Sequence, residues 1–114
     1  MGTKPSNTLE AQLEALNRAY RQSFPDKRQS LQTLWRALDA PEPDADAAQQ
    51  LHRFAHQLSG SAGSYGYADL GELAAGIELT LAHQARRGPK AWARTRLRLE
   101  RQVTALSAAL AELA

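Results

Sequence analysis

The stretch Leu99-Glu100-Arg101-Gln102-Val103-Thr104-Ala105-Leu106-Ser107-Ala108-Ala109-Leu110-Ala111-Glu112-Leu113 decides the fold class. Its apolar residues Leu99, Val103, Leu106, Leu110 and Leu113 fall at alternating gaps of four and three. That spacing lines one stripe of an α-helix, the seam of a helical bundle. Upstream, Trp92 falls in the same predicted helix, and Gly88-Pro89 predicts the turn that starts it. A preceding helix opens near Tyr67 to Asp69 and carries Leu70, Leu73, Ala74, Ile77 and Leu81. Before it, a helix from about Ala45 to Ala62 carries Leu51, Phe54, Ala55 and Leu58, with Gly66 as a left-handed stop. Pro41-Glu42-Pro43-Asp44 breaks the chain ahead of that helix, since two prolines in three residues do not fit a helix interior.

Two further helical segments lie nearer the N-terminus. One carries Leu9, Leu13, Leu16, Tyr20 and Phe24, is capped by Ser6, Asn7 or Thr8, and is expected to stop at Pro25. The next is expected to be capped by Asp26 and to bury Leu31, Leu34, Trp35 and Leu38, with Trp35 and Trp92 both in the core. No stretch alternates with period two, so no strand is predicted. Short connections force neighbouring helices to run antiparallel. The reading is all-α: an antiparallel four-helix bundle built from the last four segments, with an additional N-terminal helix over an end or side.

Composition narrows the function. A chain of 114 residues is read as one domain, 1–114, with residues 1–6 a flexible N-terminus. With 43% hydrophobic and 23% charged residues it has enough apolar content to fold. Cysteine is absent, which removes disulfides, thiolate zinc sites and thiol nucleophiles. No apolar run reaches the ~18 residues of a membrane span and Met1-Gly2-Thr3-Lys4-Pro5 opens no signal peptide, so a soluble, cytoplasmic protein is expected. Fourteen basic against twelve acidic residues leave +2. The basic residues are densest from Arg86-Arg87-Gly88-Pro89-Lys90 to Arg101. Such a run can serve nucleic acid or phospholipid, but a solvated helix face is the plainer account, so neither nucleic acid nor membrane is expected as a partner.

Three histidines are present: His52, His56 and His83. On a helical wheel, His56 points roughly 160° away from the stripe of Leu51, Phe54, Ala55 and Leu58. Arg53 precedes it by one turn and Gly60 follows by one, both facing outward. A glycine inside an exposed helix costs about 1 kcal/mol against alanine. Either a close approach by another molecule justifies that cost, or Gly60 and Gly63 only mark a fraying helix end. His52 and His56 have i, i+4 metal-ligand spacing but no third ligand in view, so no metal is expected. His52 is placed at the helix flank, partly covered by a neighbour.

The run His56-Gln57-Leu58-Ser59-Gly60-Ser61-Ala62-Gly63, then Gly66, then Leu70-Gly71-Glu72-Leu73-Ala74-Ala75-Gly76-Ile77-Glu78, resembles the signature of histidine-containing phosphotransfer (HPt) domains. The resemblance implies that His56 accepts a phosphoryl group from a receiver-domain aspartate and passes it to another receiver. It implies as partners the receiver domain of a response regulator or of a hybrid histidine kinase, with this chain as a monomer. Where the family often has a lysine, three positions after the histidine, this chain has Ser59. Ser59 can donate one hydrogen bond to a phosphoryl oxygen, and Arg53 or Gln57 can supply further contact. Gly60 and Gly63 are then partner-facing. No cofactor is expected, Mg²⁺ belonging to the receiver. No nucleotide-binding loop is present, so no ATP-dependent kinase activity is expected. The alternative is a helical adaptor that docks a receiver or kinase domain without carrying phosphate.

Overall fold

The computed structural model describes residues 8–114. The proposed caps Ser6 and Asn7 and the expected flexible segment 1–6 lie outside the described residues. The chain is helical, as expected: α1 (Leu9–Gln22), α2 (Phe24–Leu38), α3 (Ala45–Ser64), α4 (Ala68–Arg87) and α5 (Trp92–Leu113), with a short 3-10 turn (Pro89–Ala91) before α5. Local chemistry explains the boundaries. The Thr8 hydroxyl accepts from the Ala11 amide to start α1. One carboxylate oxygen of Asp44 accepts from the Asp46 and Ala47 amides to start α3. At the end of α3, Gly66 takes φ 86°, the Tyr67 amide donates to Ala62 and the Gly66 amide to Gly63. This paired return is a Schellman closure, open to glycine because it has no Cβ.

The boundary between the first two helices differs from expectation. Pro25 does not stop α1; it sits in the first turn of α2, with Ser23 as the junction and Phe24 as the first residue of α2. Proline lacks an N–H, and the first turn of a helix is where none is needed. Phe24 is therefore a buried residue of α2 and not the last of the α1 stripe.

The packed pairs are α2–α3, α3–α4, α4–α5 and α2–α5, which places α3 and α5 across a diagonal. Leu31, Leu38, Leu51, Ala55, Leu70, Ala74, Ile77, Leu99, Leu106 and Leu110 fill the centre. Burying a leucine fully stabilises the fold by roughly 1.5–3 kcal/mol, so the centre dominates its stability. Trp92 is buried and its indole N–H donates to the Ala40 carbonyl at 2.9 Å, tying the start of α5 to the end of α2. Trp35, expected in the core, is only partly buried, and Leu113 is exposed at the last turn.

α1 is tied at its C-terminal end. Tyr20 stacks on Tyr65 at 4.2 Å, meets the edge of Phe24, and its hydroxyl is 2.7 Å from that of Ser61. Leu9, Leu13 and Leu16 remain exposed, because α1 runs beyond the packed helices.

Candidate functional site

α3 crosses the surface with His56 at its crest, the imidazole 70% exposed. Leu51, Ala55 and Leu58 are buried on the opposite side, and their burial fixes the helix rotation that holds His56 outward. Nδ1 of His56 lies 2.6 Å from Oε2 of Glu78 on α4. A carboxylate only accepts, so Nδ1 carries the proton, and in the neutral ring Nε2 keeps its lone pair. Nε2 has no hydrogen-bond partner among the described residues.

α4 reaches His56 because α3 and α4 pack closely where Gly71 faces Ser59. A Cβ on Gly71 would lie 3.2 Å from the Ser59 carbonyl oxygen, tighter than most such contacts. Two turns later along α4, Glu78 stands beside His56. Glu78 belongs to the motif that resembles the HPt signature, yet its spacing from His56 in the sequence gives it no place in the site. Its position depends on the register between two helices, which spacing along one helix does not contain.

Gly60 and Gly63 both lie within α3, which continues to Ser64. Gly60 sits more than one turn inside the helix, whereas Gly63 is its penultimate residue. A Cβ at either position would meet nothing within 4 Å, so nothing among the described residues demands a glycine there. Gly71 is small because of a neighbour inside the protein; Gly60 and Gly63 are small toward solvent.

The remaining candidates divide between two flanks. Arg53 and Gln57 lie toward α2, where with Ser30, Thr33, Leu34 and Phe54 they line an open groove of about 660 Å³. Ser59 falls on the flank toward α4, two turns beyond His52, which lines a separate apolar cleft with Leu81, Ala82 and Trp92. His52 is partly covered, as expected, and His83 is exposed. His56, Gly60 and Gly63 form the crest between these flanks. The arrangement offers a nucleophilic ring nitrogen on an open surface, with an anion behind the ring and, among the described residues, no cation paired with it.

No curated protein and no solved structure matches the chain. The family model described as Hpt domain matches residues 7–113, nearly the whole length. With that match over the helices that hold His56 outward, the chain belongs to the Hpt domain family.

Proposed function

We propose that this chain is a phosphorelay intermediate in which Nε2 of His56 receives a phosphoryl group from a receiver aspartate and delivers it to a second receiver. Hpt domains are phosphotransfer intermediates in phosphorelay signalling, not kinases, and interact with receiver domains. The frame of the proposal is an antiparallel four-helix bundle of α2 to α5, with α1 as an added N-terminal helix. The observation that carries it is the exposed His56 ring, with Nδ1 held by Glu78, Nε2 without a partner among the described residues, and Gly60 one turn further along α3.

In the forward step the Nε2 lone pair attacks phosphorus. The phosphorus–oxygen bond to the aspartate breaks and its electron pair returns to the carboxylate. The phosphorylated ring gains positive charge, which the Glu78 carboxylate behind it offsets. The Nδ1 proton stays in place. Delivery reverses the step: a second aspartate attacks, the phosphorus–nitrogen bond breaks and the ring nitrogen recovers its lone pair. Transfer of this kind requires alignment and charge compensation more than covalent machinery. The Mg²⁺ of the receiver supplies charge compensation from the partner's side. Gly60 and Gly63 keep the approach to Nε2 clear, while Arg53, Gln57 and Ser59 contact the phosphoryl group or the docked partner. The setting proposed is cytoplasmic; no helix among the described residues is long and apolar enough to cross a membrane.

Incubation with a phosphorylated receiver tests the reading. The chain gains an acid-labile, base-stable phosphate; His56→Gln abolishes the uptake and His52→Gln leaves it largely intact. A dead His52 variant with a live His56 variant sinks the assignment. Ser59, in place of a cation, favours a second reading, a docking adaptor that carries no phosphate. Receiver binding without any uptake by the wild-type chain selects it.

A further inference from the structure

α5 lies across the diagonal from α3, so its outer face points away from His56, and the C-terminal end of α4 adjoins the start of α5 through the Pro89–Ala91 turn. Six cationic side chains stand there: Arg86, Arg87, Lys90, Arg94, Arg98 and Arg101, all exposed. None is hydrogen-bonded or ion-paired among the described residues. Arg96 is different, since it turns to the α2 flank and bonds Asp39 at 2.8 Å. Glu100, the only acidic residue in the span 86–101, falls on that same flank by helical phase. A chain with a net charge of only +2 thus gathers six cations at one end of this face.

Leu97 projects from the middle of this face at 57% exposure, one turn from Arg94 and from Arg101 and next to Arg98. Leu79 on the outer side of α4 is 58% exposed. An apolar side chain ringed by arginines matches the boundary between lipid headgroups and acyl chains, where both parts find favourable surroundings. The phosphates of a nucleic acid would engage the arginines and leave the leucines in water. The face also displays no aromatic ring for base stacking.

We propose that the α4–α5 face docks the protein peripherally on a membrane rich in anionic phospholipid. The arginines and Lys90 meet headgroup phosphates, and Leu97 with Leu79 enters the headgroup boundary. The proposal goes beyond the sequence-based expectation of a merely solvated face: the cations crowd the half of the face next to the α4–α5 turn, whereas Glu72 on α4 and Glu112 on α5 lie toward its other end. Each basic side chain held near an anionic surface raises partitioning by roughly fivefold, so three engaged arginines give about a hundredfold. Docked this way, α3 faces away from the lipid and His56 remains open to a partner.

Sedimentation of the full chain with vesicles tests the proposal. One set is phosphatidylcholine alone; the other contains about one-third phosphatidylglycerol. Binding is expected on the anionic set only, and to fall steeply as salt rises. Replacing all three of Arg94→Gln, Arg98→Gln and Arg101→Gln is expected to weaken it at least tenfold, and Leu97→Ser about threefold. Circular dichroism should show unchanged helix content in both variants. His56→Gln and the α1 pair Arg18→Gln, Arg21→Gln should bind as the wild type does, which keeps this result separate from that of the phosphotransfer assay. Absent binding, equal binding to neutral vesicles, or full binding by the triple variant overturns the proposal. Tighter binding to duplex DNA than to anionic vesicles at the same ionic strength also overturns it, in favour of nucleic acid.

Discussion

Nδ1 of His56 and Oε2 of Glu78 meet at 2.6 Å across the α3–α4 interface, with the imidazole 70% and the carboxylate 26% exposed. An ion pair or hydrogen bond this open adds only about 0–1 kcal/mol to stability. Its effect is on the ring: it fixes the tautomer and holds the plane of the imidazole. Glu78→Gln is therefore expected to slow phosphoryl uptake about tenfold while melting stays within ~0.5 kcal/mol of the wild type. Rapid-quench uptake from a phosphorylated receiver, alongside thermal melting, gives both numbers. Unchanged uptake would show that the carboxylate is a bystander.

Gly60→Leu separates docking from folding. A Cβ at Gly60 meets nothing within 4 Å among the described residues, and leucine is favoured over glycine in a helix by up to about 1 kcal/mol. The variant should melt at or above the wild-type temperature, yet transfer at least tenfold more slowly, because a branched side chain stands one turn beyond the proposed acceptor His56. Gly71→Leu gives the contrasting result: a Cβ there already crowds the Ser59 carbonyl oxygen, so stability falls. Equal transfer by Gly60→Leu and wild type would remove Gly60 from the partner surface.

Ser59→Lys introduces a cation on the α4 flank of the crest, one turn after His56. It is expected to raise the phosphorylated fraction at equilibrium severalfold, since a nearby positive charge stabilises the dianionic phosphoryl group. Arg53→Ala, on the α2 flank, is expected to lower that fraction. Both are measured with one phosphorylated receiver at fixed ionic strength, because salt screens exposed charges. If neither variant changes the fraction, the partner supplies the charge.

Alkaline stability tests the attachment of α1. Burial holds the Tyr20 phenol above its ordinary 10.0, with smaller upward contributions from Tyr65 and Tyr67, while the Ser61 hydrogen bond pulls it down. The neutral phenol is the form favoured in the fold. Its contribution is whole below pH 10.0 and is lost as pH rises through the higher folded value. Nearby, burial holds the Lys27 amine below 10.5, with Asp26 opposing. Its contribution has the other direction, present above 10.5 and lost as pH falls through the lower folded value. Tyr20→Phe should consequently melt a few degrees lower at neutral pH, having lost the Ser61 contact, but decline less steeply above pH 10.0. Parallel declines in the two proteins would assign the alkaline loss to another group.

The core was legible in the sequence because burial leaves a period. Leu51, Ala55 and Leu58 on α3 and Leu99, Val103, Leu106 and Leu110 on α5 are buried where their spacing places them. The same period misleads on α1. Leu9, Leu13 and Leu16 form an equally regular stripe but stay exposed, since spacing reports a face and not what covers it. Pro25 shows a different gap: a proline marks a boundary, but whether it ends one helix or opens the next depends on the residues before it. The outward placement of His56 was legible from helical phase. Its partner Glu78 was not, because only the approach of two backbones brings them together.

That approach has a consequence for how this protein tolerates change. The proton on the His56 ring is assigned by Glu78, and Glu78 is within reach because Gly71 lets two backbones close. A slight widening of that gap would release the ring to exchange tautomers and turn, with no core side chain exposed and no helix lost. Substitutions along the α3–α4 seam should then silence chemistry well before they unfold anything. Such variants would look healthy by every test of structure and fail only when asked to carry phosphate.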